Sequence, residues 1–239
     1  MSDISKRSRL LIGEENLEKL ANFKIAVFGI GGVGGFVVES LVRSGIKHIS
    51  IFDNDKVSES NINRQIIATT NTVGKSKVDV MFDRIKDISP DVQVEKKEIF
   101  YLPTTANEID LSEFDYIVDA VDTVSAKIEL IKRANDQGIK IISCMGTGGK
   151  TDPTRLKVTD IFKTHDCPLS KVMRHELKKR GINKLKVIFS DEPSVICDAE
   201  IKNAEEVKNG RVSPPSMIFV PASAGILIAR TVIFDLINN

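Results

Sequence analysis

The sequence predicts an α/β fold: a mostly parallel sheet flanked by helices, with a C-terminal extension of that sheet. Three observations predict it. Short apolar runs alternate with longer stretches that carry apolar residues at helical spacing. A glycine motif, Gly29-Ile30-Gly31-Gly32-Val33-Gly34, joins the first apolar run to the first long helix. An acid, Asp53, stands at the end of the next apolar run, 19 residues past Gly34.

The elements follow in order. Residues 14–22 read as a helix and 24–29 as a short buried strand ending in glycine. Residues 32–44 continue as a helix, with Val33, Phe36, Val37 and Leu41 on one face and Gly45 placed to end it in the left-handed conformation. A strand from His48 to Phe52 ends at Asp53. A helix from about Lys75 to Ile88 is stopped by Pro90, and Val92 to Glu98 is a third strand. Strands at Tyr116 to Ala120 and Lys140 to Cys144 are separated by a helix over 124–137. Strand–helix alternation of this kind implies parallel strands joined by right-handed crossovers. Beyond Gly149, strands are expected at Leu156 to Phe162 and Leu185 to Phe189, a helix at Leu169 to Arg180, and a loop over 204–216. The segment 216–237 is apolar, but Arg230 and Asp235 lie inside it. A charge at mid-membrane costs about 2.5–3.5 kcal/mol, so a strand, a proline turn at Pro221 and a buried helix are expected, with no integral membrane segment. The whole chain, 1–239, is read as one domain: a nucleotide-binding half, 1–150, and a substrate-binding extension, 151–239.

Composition narrows the function classes. The formal charge is +1, so any anionic partner must be held by a local patch. The three cysteines, Cys144, Cys167 and Cys197, form no CxxC pair, which argues against a disulfide framework or a four-cysteine zinc site. The opening MSDISKRSRLL is polar and lacks the apolar core of a leader peptide, making a cytoplasmic location the expectation.

The glycine motif, with its strand, helix and acid, is a Rossmann-like nucleotide signature. Glycines let the backbone approach phosphates, the helix start offers unpaired N–H groups, and the acid can accept from ribose hydroxyls. Gly29, Gly31, Gly34 and Asp53 are therefore candidate nucleotide contacts. The following run, Asp53-Asn54-Asp55-Lys56-Val57-Ser58-Glu59-Ser60-Asn61-Ile62-Asn63-Arg64-Gln65, and then Gly74-Lys75-Ser76-Lys77, selects the nucleotide. A dehydrogenase needs no dense polar cluster here, whereas a triphosphate must be neutralised. Arg64 offers a planar fork and Lys77 a point charge, with Asp55, Asn61 and Gln65 in the same cluster. Asp119 and Asp122 fall at the C-terminal edge of the sheet, where a carboxylate can hold magnesium, an ion that takes few protein carboxylates and prefers phosphate oxygens.

The combined pattern GxGGxG…DxDxVxxSNxNRQ…GxxK…VDxxD resembles the adenylating domain shared by ubiquitin-activating enzymes, ThiF and the molybdopterin-synthase adenylyltransferase, over about residues 7–150. The resemblance implies ATP and Mg2+ as cofactors. It implies Asp53 on the ribose, Asn61, Arg64 and Lys77 on the phosphates, and Asp122 holding magnesium near the attacked α-phosphate. It also implies a homodimer in which Arg7 reaches the neighbouring subunit's ATP site, with Arg9 as the alternative arginine. The chain lacks the zinc cysteine pairs of many such proteins. Its opening LLIGEENLEKLANFKIAVFGIGGVGGFVVESLVRSGI, its CPLSKVMRHELKKRGI and its SMIFVPASAGILIA are similar to the tRNA threonylcarbamoyladenosine dehydratases. That likeness implies an ATP-dependent, ligase-type cyclisation in tRNA through an acyl-adenylate, and leaves room for a cysteine desulfurase or other sulfur-transfer partner.

Three further readings stay open beside it: activation of the C-terminal glycine of a ubiquitin-like sulfur carrier, an NAD(P)-dependent oxidoreductase, and a nonenzymatic partner subunit. The SNINRQ segment disfavours the second, and Arg64, Lys77 and Asp122 disfavour the third. On the helix at 169–180, Lys171, Arg174, His175 and Lys178 share a face that suits a phosphate backbone, opposite a stripe of Leu169, Val172, Met173 and Leu177. An ordinary solvated face is the alternative. Cys167 is either a thiol that takes an acyl group or a structural one. Cyclisation needs no enzyme nucleophile, because the substrate supplies its own.

Overall fold

The computed structural model describes residues 3–195, 207–208, 211–212 and 214–238. Its main sheet contains β1 (Lys24–Phe28), β2 (His48–Phe52), β3 (Gln93–Lys97), β4 (Tyr116–Asp119), β5 (Lys140–Cys144), β6 (Leu156–Asp160) and β7 (Lys186–Ser190). The spatial order is β3-β2-β1-β4-β5-β7-β6. Six strands are parallel, and β6 runs antiparallel to β7 at one edge. The helices are α1 (Lys6–Ile12), α2 (Glu14–Asn22), α3 (Gly34–Arg43), α4 (Lys77–Ile88), α5 (Val124–Asp136), α6 (Pro168–Lys179) and α7 (Phe219–Ile237). The predicted Rossmann-like class is the one observed, including the extension of the sheet by β6 and β7.

Burial explains the order. The central strands β1 and β4 are nearly continuous apolar runs, covered on both faces. The edge strand β3, QVEKK, is largely charged, which blunts an edge against further pairing. The order reverses between β1 and β4, so the crevice for a ligand opens beyond the carboxyl ends of those two strands. Gly45 has φ +110° and ends α3 as predicted.

Three segments differ from the reading above. The segment 216–237 contains no strand and no proline turn. Pro221 is the third residue of α7, where the first-turn N–H groups have no intrahelical acceptor, so its missing N–H costs nothing there. Within 204–216, β8 (Val207–Lys208) and β9 (Arg211–Val212) form a short antiparallel ladder. Residues 6–12, for which no element was predicted, are helical. Among the described residues α7 is the one helix long and apolar enough to cross a membrane. Here Ala224, Ile228, Val232 and Leu236 are buried in the main core. Its close approach to α3 depends on Gly225: a Cβ there would stand 2.5 Å from the Val33 carbonyl oxygen. At the other end of α7, Tyr116 Oη donates to Asp235 Oδ2 at 2.7 Å, and Lys186 pairs with the same oxygen.

Candidate active site

The site is built on the turn after β1. A Cβ on Gly34 would fall 1.7 Å from the Gly29 carbonyl oxygen. Gly29 has φ +91°, and a Cβ there would fall 2.6 Å from the Ala120 oxygen. The glycines therefore let the loop fold on itself and press against the turn after β4.

Asp53, just past β2, holds this loop in place. Its Oδ2 accepts the Ile30 N–H at 2.7 Å and its Oδ1 accepts the Asp55 N–H at 2.8 Å. Burial pushes its carboxyl above the usual range, while the charge of Lys77 and the two N–H groups pull it back. Lys77 opens α4 and is itself buried. Its Nζ donates to Asp55 Oδ2 at 2.9 Å and lies 3.9 Å from Asp53 Oδ1. Ser76, just before it, has a buried hydroxyl with no partner among the described residues.

The polar run folds back over the glycine loop. Asn61 is buried and accepts the Ser58 N–H on its Oδ1 at 3.2 Å, closing a capping box. Arg64 Nη1 donates to the Ser60 oxygen at 2.7 Å and to Asn63 Oδ1 at 2.9 Å. Its Cγ would lie 3.6 Å from a Cβ on Gly32, and Gln65 Nε2 3.9 Å from one on Gly31. Gln65 is buried and its Oε1 has no partner among the described residues. Asn63 donates to the Ser216 oxygen at 2.8 Å, which draws the segment before α7 toward this cluster.

The two acids after β4 separate. Asp122 is exposed, with Oδ1 accepting from Thr123 Oγ1 at 3.2 Å. Asp119 is fully buried and ion-paired with Lys127, so it is not open to magnesium as the sequence suggested. Arg7 is exposed on α1, a helix with no buried residue, whereas Arg9 pairs with Glu14 at 2.5 Å. Sequence reasoning gave Asn63 and Ser76 no role beyond membership of the polar run, and missed Lys127. Lys127 could have been found, because it interrupts the apolar stripe of Ala126, Leu130, Ile131 and Ala134.

The helix α6 differs from its predicted faces. Ser170, Met173 and Leu177 are buried, but Val172 is 47% exposed. Arg174 donates to the Thr164 carbonyl at 2.8 Å, leaving Lys171, His175 and Lys178 exposed on the predicted face. Cys167 is buried at the start of α6. His165 pairs with Asp166 at 2.8 Å rather than with this thiol. Cys144 is buried, and desolvation pushes its thiol up to about 12. Cys197 lies outside the described residues.

The sequence pattern of the ThiF family matches residues 5–232. The chain is 41% identical to the tRNA threonylcarbamoyladenosine dehydratase of Bacillus subtilis (strain 168), over 98% of this chain and 94% of the relative. The Escherichia coli tRNA N6-threonylcarbamoyladenosine dehydratase, TcdA, solved in complex with AMP, superposes with a TM-score of 0.88 at 31% identity, covering 98% of this chain and 93% of that one. The same protein in complex with ATP gives 0.86 at 30% identity, with the same coverage.

Proposed function

The chain belongs to the ThiF family, and on that premise we propose that it is an ATP-dependent tRNA threonylcarbamoyladenosine dehydratase, acting as one adenylating unit whose nucleotide half is 1–150. The carboxylate of the threonylcarbamoyl side chain attacks the α-phosphorus of ATP, and pyrophosphate leaves. The acyl-adenylate is then attacked by the carbamoyl group of the same nucleoside. The acyl C–O bond breaks, AMP leaves, a proton is lost and a ring closes.

The observation that carries this reading is the pair of cations, Lys77 and Arg64, gathered with Asp53 around the glycine loop. In this reading Asp53 accepts from the ribose while bracing the loop, and Lys77, steadied by Asp55, neutralises phosphate. Arg64 exchanges its Ser60 and Asn63 acceptors for phosphate oxygens, a charge-assisted gain. Asn61 and Gln65 shape the floor, and the orphaned Oε1 of Gln65 is left to accept from the nucleotide. Magnesium fits the donor set. Asp122 is an exposed carboxylate on the turn against which Gly29 is pressed, and no group of three or more His, Cys, Asp or Glu residues gathers among the described residues. ATP oxygens would therefore supply the rest of the shell. When bound, the metal would stabilise charge developing at the phosphate. Arg7, exposed and outside this cluster, is the better placed of the two arginines to serve a second subunit's site. A sulfur-transfer partner gains no support, because both described cysteines are buried.

Mass spectrometry of nucleosides from threonylcarbamoylated tRNA, incubated with the protein, ATP and magnesium, tests the reading. Loss of one water from the modified nucleoside, with AMP and pyrophosphate released, is the expected result. Tight binding of NAD with no binding of ATP would overturn it.

A further inference from the structure

Asp119 and Lys127 form an ion pair sealed from solvent, with side chains 0% and 1% exposed. Lys127 Nζ stands 3.0 and 3.1 Å from the two carboxylate oxygens. Ser143 Oγ donates to Oδ2 at 2.5 Å and lies 3.3 Å from the same Nζ. The register explains the meeting, since Asp119 ends β4 with Phe28 on one side and Ser143 on the other. Stability alone does not account for the pair, because buried ion pairs can often be replaced by apolar residues of similar volume at little cost.

Its connections suggest what it does. Asp119 Oδ1 also accepts the Val121 N–H at 3.3 Å. Lys127 is in the first turn of α5, so the pair clamps both ends of the turn 120–123. That turn carries Asp122, and its Ala120 oxygen is the group against which Gly29 is pressed. Fixing the turn fixes the distance between the exposed carboxylate and the glycine loop.

We propose that Asp119, Lys127 and Ser143 form a positioning network for Asp122, setting where that carboxylate stands relative to the nucleotide loop without touching nucleotide, metal or substrate. The proposal rests on Asp122 as the magnesium-holding residue. Outer partners that orient a metal ligand are commonly worth about 10–100-fold in metal affinity or activity.

The test replaces the pair as a unit, with Asp119→Leu and Lys127→Met together, in the full-length protein. The thermal midpoint and the affinity for ATP without magnesium should stay close to the parent's. The magnesium concentration that half-saturates ATP binding in calorimetry should rise about tenfold or more, and turnover should fall in parallel. Ser143→Ala, which removes only a hydroxyl, should shift the same magnesium midpoint about threefold, so a double variant that does not fold still leaves a decision. An unchanged magnesium midpoint in a folded double variant, or in Ser143→Ala where the double variant does not fold, would overturn the proposal. So would a loss of thermal stability with the magnesium midpoint intact. Asp122→Asn separates the two ideas. If it leaves the magnesium midpoint unchanged, the metal reading of Asp122 fails. If it raises the midpoint while the network variants do not, only the positioning role fails.

Discussion

The ammonium of Lys77 lies 2.9 Å from Asp55 and 3.9 Å from Asp53, so one buried cation at the start of α4 serves two carboxylates just beyond β2. Of the two acids, Asp55 takes the hydrogen bond from the ammonium, while Asp53 holds both its oxygens on backbone N–H groups. Lys77→Met should weaken ATP binding by about 10–100-fold, the usual worth of a hydrogen bond to a charged group. It should also lower the thermal midpoint at neutral pH, because Asp53 and Asp55 lose their shared cation, so ATP affinity is compared at a temperature where the variant is folded. Calorimetry with ATP and a parallel thermal melt check this; equal ATP affinity would remove Lys77 from the phosphate site.

Asp53 gives the site an acid limb. Burial raises its carboxyl above the ordinary value and Lys77 partly offsets that rise. A raised carboxyl favours the protonated form in the fold. Its stability contribution is therefore present below the unfolded value and lost as pH rises through the folded one. Binding runs the other way, because the carboxylate must be ionised to accept from ribose while holding Ile30. ATP affinity should decline on acidification at a pH above that of a free aspartate. In Lys77→Met the limb should move to higher pH, since a lowering charge is gone. Titrating ATP affinity against pH in both proteins tests this, and a limb that does not move would contradict the coupling.

The fold was legible because the central strands are apolar on both faces and the helices carry apolar stripes, so period and burial agree. The start of α7 was misread because an apolar run containing proline fits a strand and a turn equally well until the helix's first-turn geometry is seen. The ligand cluster was legible as a motif, but the division of labour between Asp119 and Asp122 was not. Both acids sit in the same short segment, DAVD. Only the β4–β5 register, which brings Ser143 onto Asp119, and the first turn of α5, which brings Lys127 there, tell the buried acid from the exposed one.

Arg7 should act in trans. The residue is exposed on α1 and Arg9 is engaged with Glu14. Mixing Arg7→Ala chains with Asp122→Ala chains should restore partial turnover, because one site per mixed dimer keeps both residues. Sedimentation must show the mixed dimer; absence of rescue in proven mixed dimers would exclude the shared site.

The cations of α6 should divide into two classes. Lys171 and Lys178 are exposed, whereas Arg174 is tied to Thr164. Replacing both lysines with Ala should lower the salt slope of tRNA binding by about 0.9 for each duplex phosphate that is no longer neutralised, with no change in thermal midpoint. Arg174→Ala should instead lower the midpoint, since it leaves the Thr164 carbonyl unpaired. Filter binding across a salt series and thermal melts separate the two, and an unchanged salt slope would leave the helix an ordinary solvated face.

Cys167 is the last discriminator, because a thioester mechanism needs it and internal cyclisation does not. Its side chain is buried, and a Cβ on Gly146 would stand 3.8 Å from its Sγ. It occupies the residue before α6 in an extended conformation, φ −124° and ψ 111°, with no side-chain cap. A serine hydroxyl at such a position can accept an orphan N–H of the first turn, worth about 1 kcal/mol. Cys167→Ser should therefore keep the thermal midpoint and most of the turnover on modified tRNA. In a Cys197→Ser background the two remaining thiols should resist a thiol reagent until the protein is unfolded: Cys167 is shielded, and the Cys144 thiol is pushed up to about 12. Turnover abolished by Cys167→Ser in a folded protein, together with rapid labelling of the native thiol, would move the assignment to a carrier-protein activator that holds its substrate as a thioester.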